Sequence, residues 1–174
     1  TGIPVSVEWG GAGLGYQEYC VALEEIAAVN AGYAVSMAVT GLPQIILGVH
    51  GTPVQKKKYI PPMAQGKAIG AFSLTEPSAG SDAASLRTTA RKEGSHWILN
   101  GTKLFTTQAD SAQTLIVFAR TGGPGPGGIS AFIVEKGTPG FQCGKREEKM
   151  GMHTSHTMEV LLKDAKIPLE NIVG

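Results

Sequence analysis

From Tyr16 the apolar positions fall at three- and four-residue steps: Tyr16, Tyr19, Leu23, Ile26, Ala27, Ala31 and Ala34. That spacing places them on one helical face, with Glu18, Glu24 and Glu25 mostly off it. Residues 31–39 are small and almost uncharged, which predicts burial on most sides, and Thr40-Gly41-Leu42-Pro43 is expected to stop the helix. A second short helix is predicted over residues 44–49, closing at His50 with Gly51 as its C-terminal cap. Thr52-Pro53-Val54-Gln55 then sets Thr at the N-cap, Pro at the first helical position and Gln at the third, a capping box. The helix it opens should run through Tyr59 to a stop at Pro61-Pro62.

After Gly66 the period changes from near four to two. Residues 69–74 form a short apolar run, residues 86–92 alternate, and residues 112–120 and 129–135 read as buried strands. Residues 96–99 and 103–107 flank Asn100-Gly101, the residue pair best suited to a two-residue hairpin turn because both positions tolerate positive φ. Residues 158–162 and 165–168 give two further short strands. The glycines of residues 10–15 miss the spacing of a dinucleotide fingerprint, and the glycine-rich loop at 122–128 lacks the Lys-Ser/Thr of a phosphate-binding loop. The fold class expected is α+β: a helical N-terminal segment (1–66) followed by an antiparallel β-barrel or sandwich (67–174).

Charge and composition narrow the function classes. The net charge is +1, aromatics are few, and no basic patch is interleaved with them, so nucleic acid is not an expected partner. No apolar run is read as long enough to span a bilayer, and the N-terminus lacks the pattern of a signal peptide, so no membrane association is expected. Cys20 and Cys143 stand apart with no C-x-x-C spacing and are read as free, buried thiols. His153 and His156 have no further Cys or His nearby to complete a metal site, and none is expected.

The chemistry concentrates in residues 72–82, Phe-Ser-Leu-Thr-Glu-Pro-Ser-Ala-Gly-Ser-Asp. Pro77 ends the apolar run, and a turn of small hydroxyl residues follows, in which Gly80 lets a ligand approach the backbone. Read alone, the stretch is a surface turn after a strand. It resembles the flavin-contacting signature of the acyl-CoA dehydrogenase family, x-Thr-Glu-Pro then x-x-Gly-Ser-Asp. Other segments are similar to that family in the same order: the Gly-Gly-x-Gly entry loop, Gly51-x-x-x-Gln55-Lys56-x-x-Tyr59-x-Pro61, Met150-Gly151-x-x-x-Ser155-x-Thr157, and the closing residues 168–174. His153 stands where the family usually has Arg, and His156 where an acidic residue is common.

The resemblance implies FAD as cofactor and α,β-dehydrogenation of acyl-CoA thioesters, as in fatty-acid or branched-chain acyl oxidation, with electrons passing to an electron-transfer flavoprotein. It implies that Leu74 and Thr75 meet the pyrimidine edge of the flavin, that Thr107 donates toward its N5/O4 edge, and that Phe105 packs beside the ring. Phe72 and Thr106 belong to the same two flavin-contacting segments. Gly80 and Ser81 are implied near the pyrophosphate, with Ser81 also touching the acyl-CoA. A homo-oligomer, dimer or tetramer, is implied, in the bacterial cytoplasm or the mitochondrial matrix. The family's general base is borne on a C-terminal helical domain, which residues 1–174 do not include. The expectation is therefore a fragment without that base and without measurable turnover; Glu76, Glu135 and Glu159 are not candidates for it. Two other readings remain open: a non-catalytic β-domain serving as an interaction module, and a sibling acyl-CoA oxidase.

Overall fold

The computed structural model describes residues 1–174. The apolar stretch after Tyr16 forms α1 (Tyr16–His50), which runs through Gly41-Leu42-Pro43 and instead bends at Asn30, whose backbone leaves the helical region at φ −153°, ψ 95°. The break predicted at Thr40–Pro43 is thus absent. Pro43 is tolerated because its ring takes a packing place: a Cβ on Gly70 would lie 3.1 Å from its Cγ. Ser36, Thr40 and Gln44 line one buried face at four-residue steps and donate to Gly32 O, Ser36 O and Thr40 O, so the donors of this polar stripe are satisfied inside the helix, while Gln44 Oε1 is buried without a partner. Gly51 ends the helix in extended rather than left-handed geometry, and a Cβ there would lie 2.6 Å from Leu47 O.

The capping box forms as the sequence predicts: Gln55 N donates to Thr52 Oγ1 and Thr52 N to Gln55 Oε1. The helix it opens, α2 (Pro53–Ala64), continues through Pro61 and Pro62. Those prolines deprive only the carbonyls of Lys57 and Lys58 of a donor, and both lysines are exposed, so water serves them. Meanwhile the proline carbonyls still accept from Gln65, Lys67 and Ala68.

Eight strands follow: β1 (Gly70–Ser73), β2 (Thr89–Glu93), β3 (His96–Thr107), β4 (Thr114–Arg120), β5 (Ile129–Glu135), β6 (Phe141–Arg146), β7 (Thr157–Pro168) and β8 (Ile172–Val173). Their order is β6-β7-β3-β2-β4-β5-β8, with β1 beside β4. The sheet is mixed, not purely antiparallel: β1 runs parallel to β4 from Gly70↔Thr114 to Ser73↔Val117, and β2 meets β4 at one parallel bridge, Thr89↔Arg120. That single bridge joins two halves, which fold face to face as an open sandwich rather than a closed barrel. Leu99, Val160, Leu162 and Ile167 of one half bury against Leu115, Val117, Phe132 and Val134 of the other. Trp97 crosses the gap edge-on to Phe132, ring centroids 5.4 Å apart. Each of these fully buried apolar side chains stabilises the fold by about 1.5–3 kcal/mol. The back of the β4–β5 half, through Ile116 and Ile133, packs on Leu47 of α1 and on Tyr59, Ile60 and Met63 of α2. Strands covered on both faces carry continuous apolar runs, which is why β4 and β5 were legible without alternation.

The predicted hairpin at Asn100-Gly101 does not form. β3 passes straight through it with a bulge, pairing Leu99↔Ala165 and Gly101↔Leu162 along β7, and the hairpin turn lies earlier, at Gly94-Ser95. Asn100 is engaged sideways: its amide donates to Asp164 Oδ1 and its oxygen accepts from Asp164 N. Gly101 is required by crowding, since a Cβ there would lie 2.8 Å from Thr88 Cα. Likewise the two strands predicted at 158–162 and 165–168 are one, β7, with Asp164 at φ 49° marking the irregularity between them.

Two further expectations change. α1 is long and apolar enough to cross a membrane by length and composition, contrary to the sequence reading. Its buried polar stripe packs instead against β1, where Thr40 Oγ1 lies 3.4 Å from Gly70 O. Cys20 is exposed and Cys143 only half-buried, so neither is a core thiol.

Candidate functional site

β1 leaves the sheet after Ser73, and the chain from there to Thr88 is organised by one side chain, Glu76. Its carboxylate accepts from Arg87 N at 2.6 Å, Thr88 N at 2.9 Å and Lys103 Nζ at 2.7 Å. Its backbone exchanges two hydrogen bonds with Ala79 at 3.0 and 3.1 Å, closing the turn over Pro77. Glu76 thus holds both ends of the loop that carries Ser78, Gly80, Ser81 and Asp82. Burial pushes its carboxyl pKa up, but the Lys103 ammonium, Thr88 and the amides outweigh burial and hold it below the usual range.

Lys103, from the middle of β3, is wholly enclosed. Burial pushes its pKa down while Glu76 opposes that shift. Its ammonium also donates to Leu74 O at 3.0 Å. Sequence reasoning missed this pair. The available signal was a lysine inside an apolar and threonine-rich strand, which needs a counter-charge if it turns inward.

The two segments singled out in the sequence lie side by side and antiparallel. Ser73 Oγ meets Thr106 Oγ1 at 2.9 Å, and two residues further along Leu104 N donates to Thr75 O at 2.8 Å. The register of β3 against β7 shifts between Lys103 and Thr106. Phe105 sits in that bulge at φ 55°, a strained backbone for a bulky residue, and the residue is 59% exposed. A bulge that turns an aromatic ring outward beside a strand end is a device for presenting it to something outside the sheet.

Each predicted contact residue has a definite place. Leu74, Thr75 and Thr107 are half-buried, and Phe105 is exposed beside them. The N–H of Thr75 donates to no backbone or side-chain acceptor. Thr106 is buried, and its hydroxyl is taken by Ser73. Phe72 lies on the opposite face of β1 from Ser73, its ring against Phe118 with centroids 5.3 Å apart. Gly80 and Ser81 lie exposed in the turn beyond the Glu76–Ala79 bridge, where a Cβ on Gly80 would meet nothing within 4 Å.

Neighbouring groups fix the surroundings. The Arg120 guanidinium donates to Ala84 O, Leu86 O, Gly123 O and Gly125 O, tying the segment after Asp82 to the glycine-rich loop. His156 Nδ1 lies 2.7 Å from Asp110 Oδ2, and Gln108 N donates to His156 O, so the turn after Thr107 is held to the loop before β7. Burial pushes the Asp110 carboxyl up, but the bonds from His156 and Ser111 prevail and keep it low. Glu135 is engaged by Lys58 at 2.7 Å and by the Tyr59 hydroxyl at 2.8 Å. Like Glu76, it is not free to move a proton.

Residues 1–67 match the model of the acyl-CoA dehydrogenase N-terminal domain, and residues 71–165 that of the acyl-CoA dehydrogenase middle domain. Over 99% of its length the chain is 44% identical to a short-chain specific acyl-CoA dehydrogenase of Clostridium acetobutylicum, covering 46% of that protein. The butyryl-CoA dehydrogenase of Megasphaera elsdenii superposes on 99% of the chain with a TM-score of 0.96 at 43% identity, over 47% of its own length. An acyl-CoA dehydrogenase from Bacillus anthracis complexed with FAD superposes on 98% of the chain with a TM-score of 0.88 at 36% identity, over 29% of its own length. The chain spans about half the length of the curated relatives it matches.

Proposed function

The chain belongs to the acyl-CoA dehydrogenase family, and we propose that it binds FAD and forms the flavin-holding part of an enzyme that oxidises acyl-CoA thioesters between Cα and Cβ. The observation that carries this reading is the pairing of two distant segments, 73–76 and 103–107, with donors left over at their junction. The unpaired Thr75 N–H and the half-buried hydroxyls of Thr75 and Thr107 suit the polar edge of an isoalloxazine, and exposed Phe105 supplies an apolar face. Thr106 acts behind this edge, fastening it to Ser73. Phe72 supports β1 from the far side through Phe118. Gly80 and Ser81, in a turn with room for close approach, suit the pyrophosphate, and Ser81 the acyl-CoA.

FAD supplies the acceptor for the pair of electrons leaving the thioester. The residues of this chain hold the donors fixed before substrate arrives, so little reorganisation is needed on reaction. Removal of the α-proton requires a positioned base, because that proton is only weakly acidic. An electron-transfer flavoprotein is the proposed acceptor, a homo-oligomer the proposed assembly, and the bacterial cytoplasm or mitochondrial matrix, where CoA thioesters are made and consumed, the proposed location. Residues 1–66 and 67–174 are the proposed domains.

The test is colour. The purified chain, alone or after incubation with FAD and removal of free cofactor, should carry the visible absorption band of bound flavin. A protein that stays colourless at high FAD overturns the reading and favours an interaction module built on the same fold.

A further inference from the structure

Lys103 is the one fully buried ammonium in the chain, and its ion pair with Glu76 accounts for only part of its bonding. It also donates to Leu74 O, the carbonyl end of the Leu74–Thr75 peptide. The other end of the same peptide is the Thr75 N–H, which no protein group accepts. A peptide whose carbonyl is bonded to a cation is polarised, and its N–H becomes a stronger donor, more so in a low-dielectric interior. Glu76 keeps the ammonium in place and is itself held by Arg87 N and Thr88 N, so the arrangement is rigid.

The geometry points to Lys103 as a residue that tunes the bound cofactor from behind, by polarising the Leu74–Thr75 peptide so that the free Thr75 N–H favours an electron-rich ligand edge. This rests on the FAD reading above. The pyrimidine edge of the flavin gains electron density on reduction, so a strengthened donor binds reduced FAD more tightly than oxidised FAD and raises the reduction potential. Lys103 touches neither cofactor nor substrate in this scheme; it acts through one peptide bond.

The experiment measures FAD affinity, flavin reduction potential and thermal stability for the parent chain, Lys103→Met, and the double variant Lys103→Met/Glu76→Gln. The double variant removes the charge that the single change would strand; its one side-chain oxygen can accept from Thr88 N or from Arg87 N, not from both as the two carboxylate oxygens do. The expected result is a stability partly restored in the double variant relative to Lys103→Met, with a preference for reduced over oxidised FAD about tenfold below the parent, equivalent to about 30 mV downward for the two-electron couple. A purely structural ion pair would instead leave the potential of the double variant at the parent value while its stability is partly restored, and that outcome overturns the proposal. If Lys103→Met does not fold, the double variant carries the test. A parent chain that holds no flavin removes the FAD reading and this proposal together. A yellow parent with an unshifted double variant removes this proposal alone.

Discussion

Thr154 Oγ1 donates to Asn30 Oδ1 at 2.7 Å, joining residues 124 positions apart at the bend of α1. The same Asn30 oxygen accepts from Tyr33 N, so the side chain caps the second half of the helix while the loop before β7 grips it from outside. Gly32 permits this approach, because a Cβ there would lie 2.4 Å from Thr154 Oγ1. Asn30→Ala should destabilise the chain by about 1–2 kcal/mol, since a cap and a tertiary bond go together. Asn30→Asp, which keeps the acceptor, should lose much less. Denaturant unfolding of the two variants separates these outcomes, and equal losses would rule out the acceptor role.

Gly101 is needed for space at the β3 bulge. Gly101→Ala must displace the Thr88 backbone, which Glu76 holds, and should destabilise by about 1–3 kcal/mol. Gly123→Ala, where a Cβ meets nothing within 4 Å, is the control and should differ from the parent by only a few tenths of a kcal/mol. Matching midpoints for both variants in thermal unfolding would contradict the crowding argument.

Glu76 makes stability depend on pH on the acid side. Its folded pKa lies below the unfolded value of about 4.3, so between the two values the unfolded chain binds more protons. The stability it contributes is complete above the unfolded pKa and is lost as pH falls through the folded one. Glu76→Gln should therefore lower stability at pH 7 by about 3–5 kcal/mol, the usual effect of stranding one partner of a buried pair. The gap to the parent should narrow as pH drops below about 4. A gap that stays constant down to about pH 2 would show that Glu76 does not titrate as the structure implies.

Thr75→Val and Thr107→Val each remove a hydroxyl from the proposed flavin edge while preserving side-chain shape. Each should weaken FAD binding by about 1–3 kcal/mol, or roughly fivefold to a hundredfold, if the lost bond leaves a ring-edge atom unpaired. Thr106→Val should act differently, reducing stability through the loss of the Ser73 contact in the core. Fluorescence titration with FAD and thermal unfolding on the same three proteins read both effects. Unchanged affinity and unchanged potential in both edge variants would remove Thr75 and Thr107 from the site.

Local chemistry was enough for the elements whose stability is local. The capping box at Thr52 and Gln55 and the doubly covered strands β4 and β5 follow from neighbours a few residues apart, and the linear pattern carries them; β1 ends at Ser73, before the stop that Pro77 predicts. The signature at residues 72–82 was legible for the same reason, since turn chemistry and order along the chain are one-dimensional facts. Tertiary structure decided the rest. Pro43, Pro61 and Pro62 sit inside helices because packing against Gly70 and solvent exposure of Lys57 and Lys58 offset what each proline removes locally. Asn100-Gly101 stays within β3 because Asp164 and Thr88, distant in sequence, claim the positions a turn would have used. The bulge that exposes Phe105, and the burial of Lys103 against Glu76 and Leu74, arise only when β3 is laid between β7 and the end of β1. A buried charge is tolerable only opposite its partner, and Glu76 and Lys103, 27 positions apart in the chain, come together only through the complete fold.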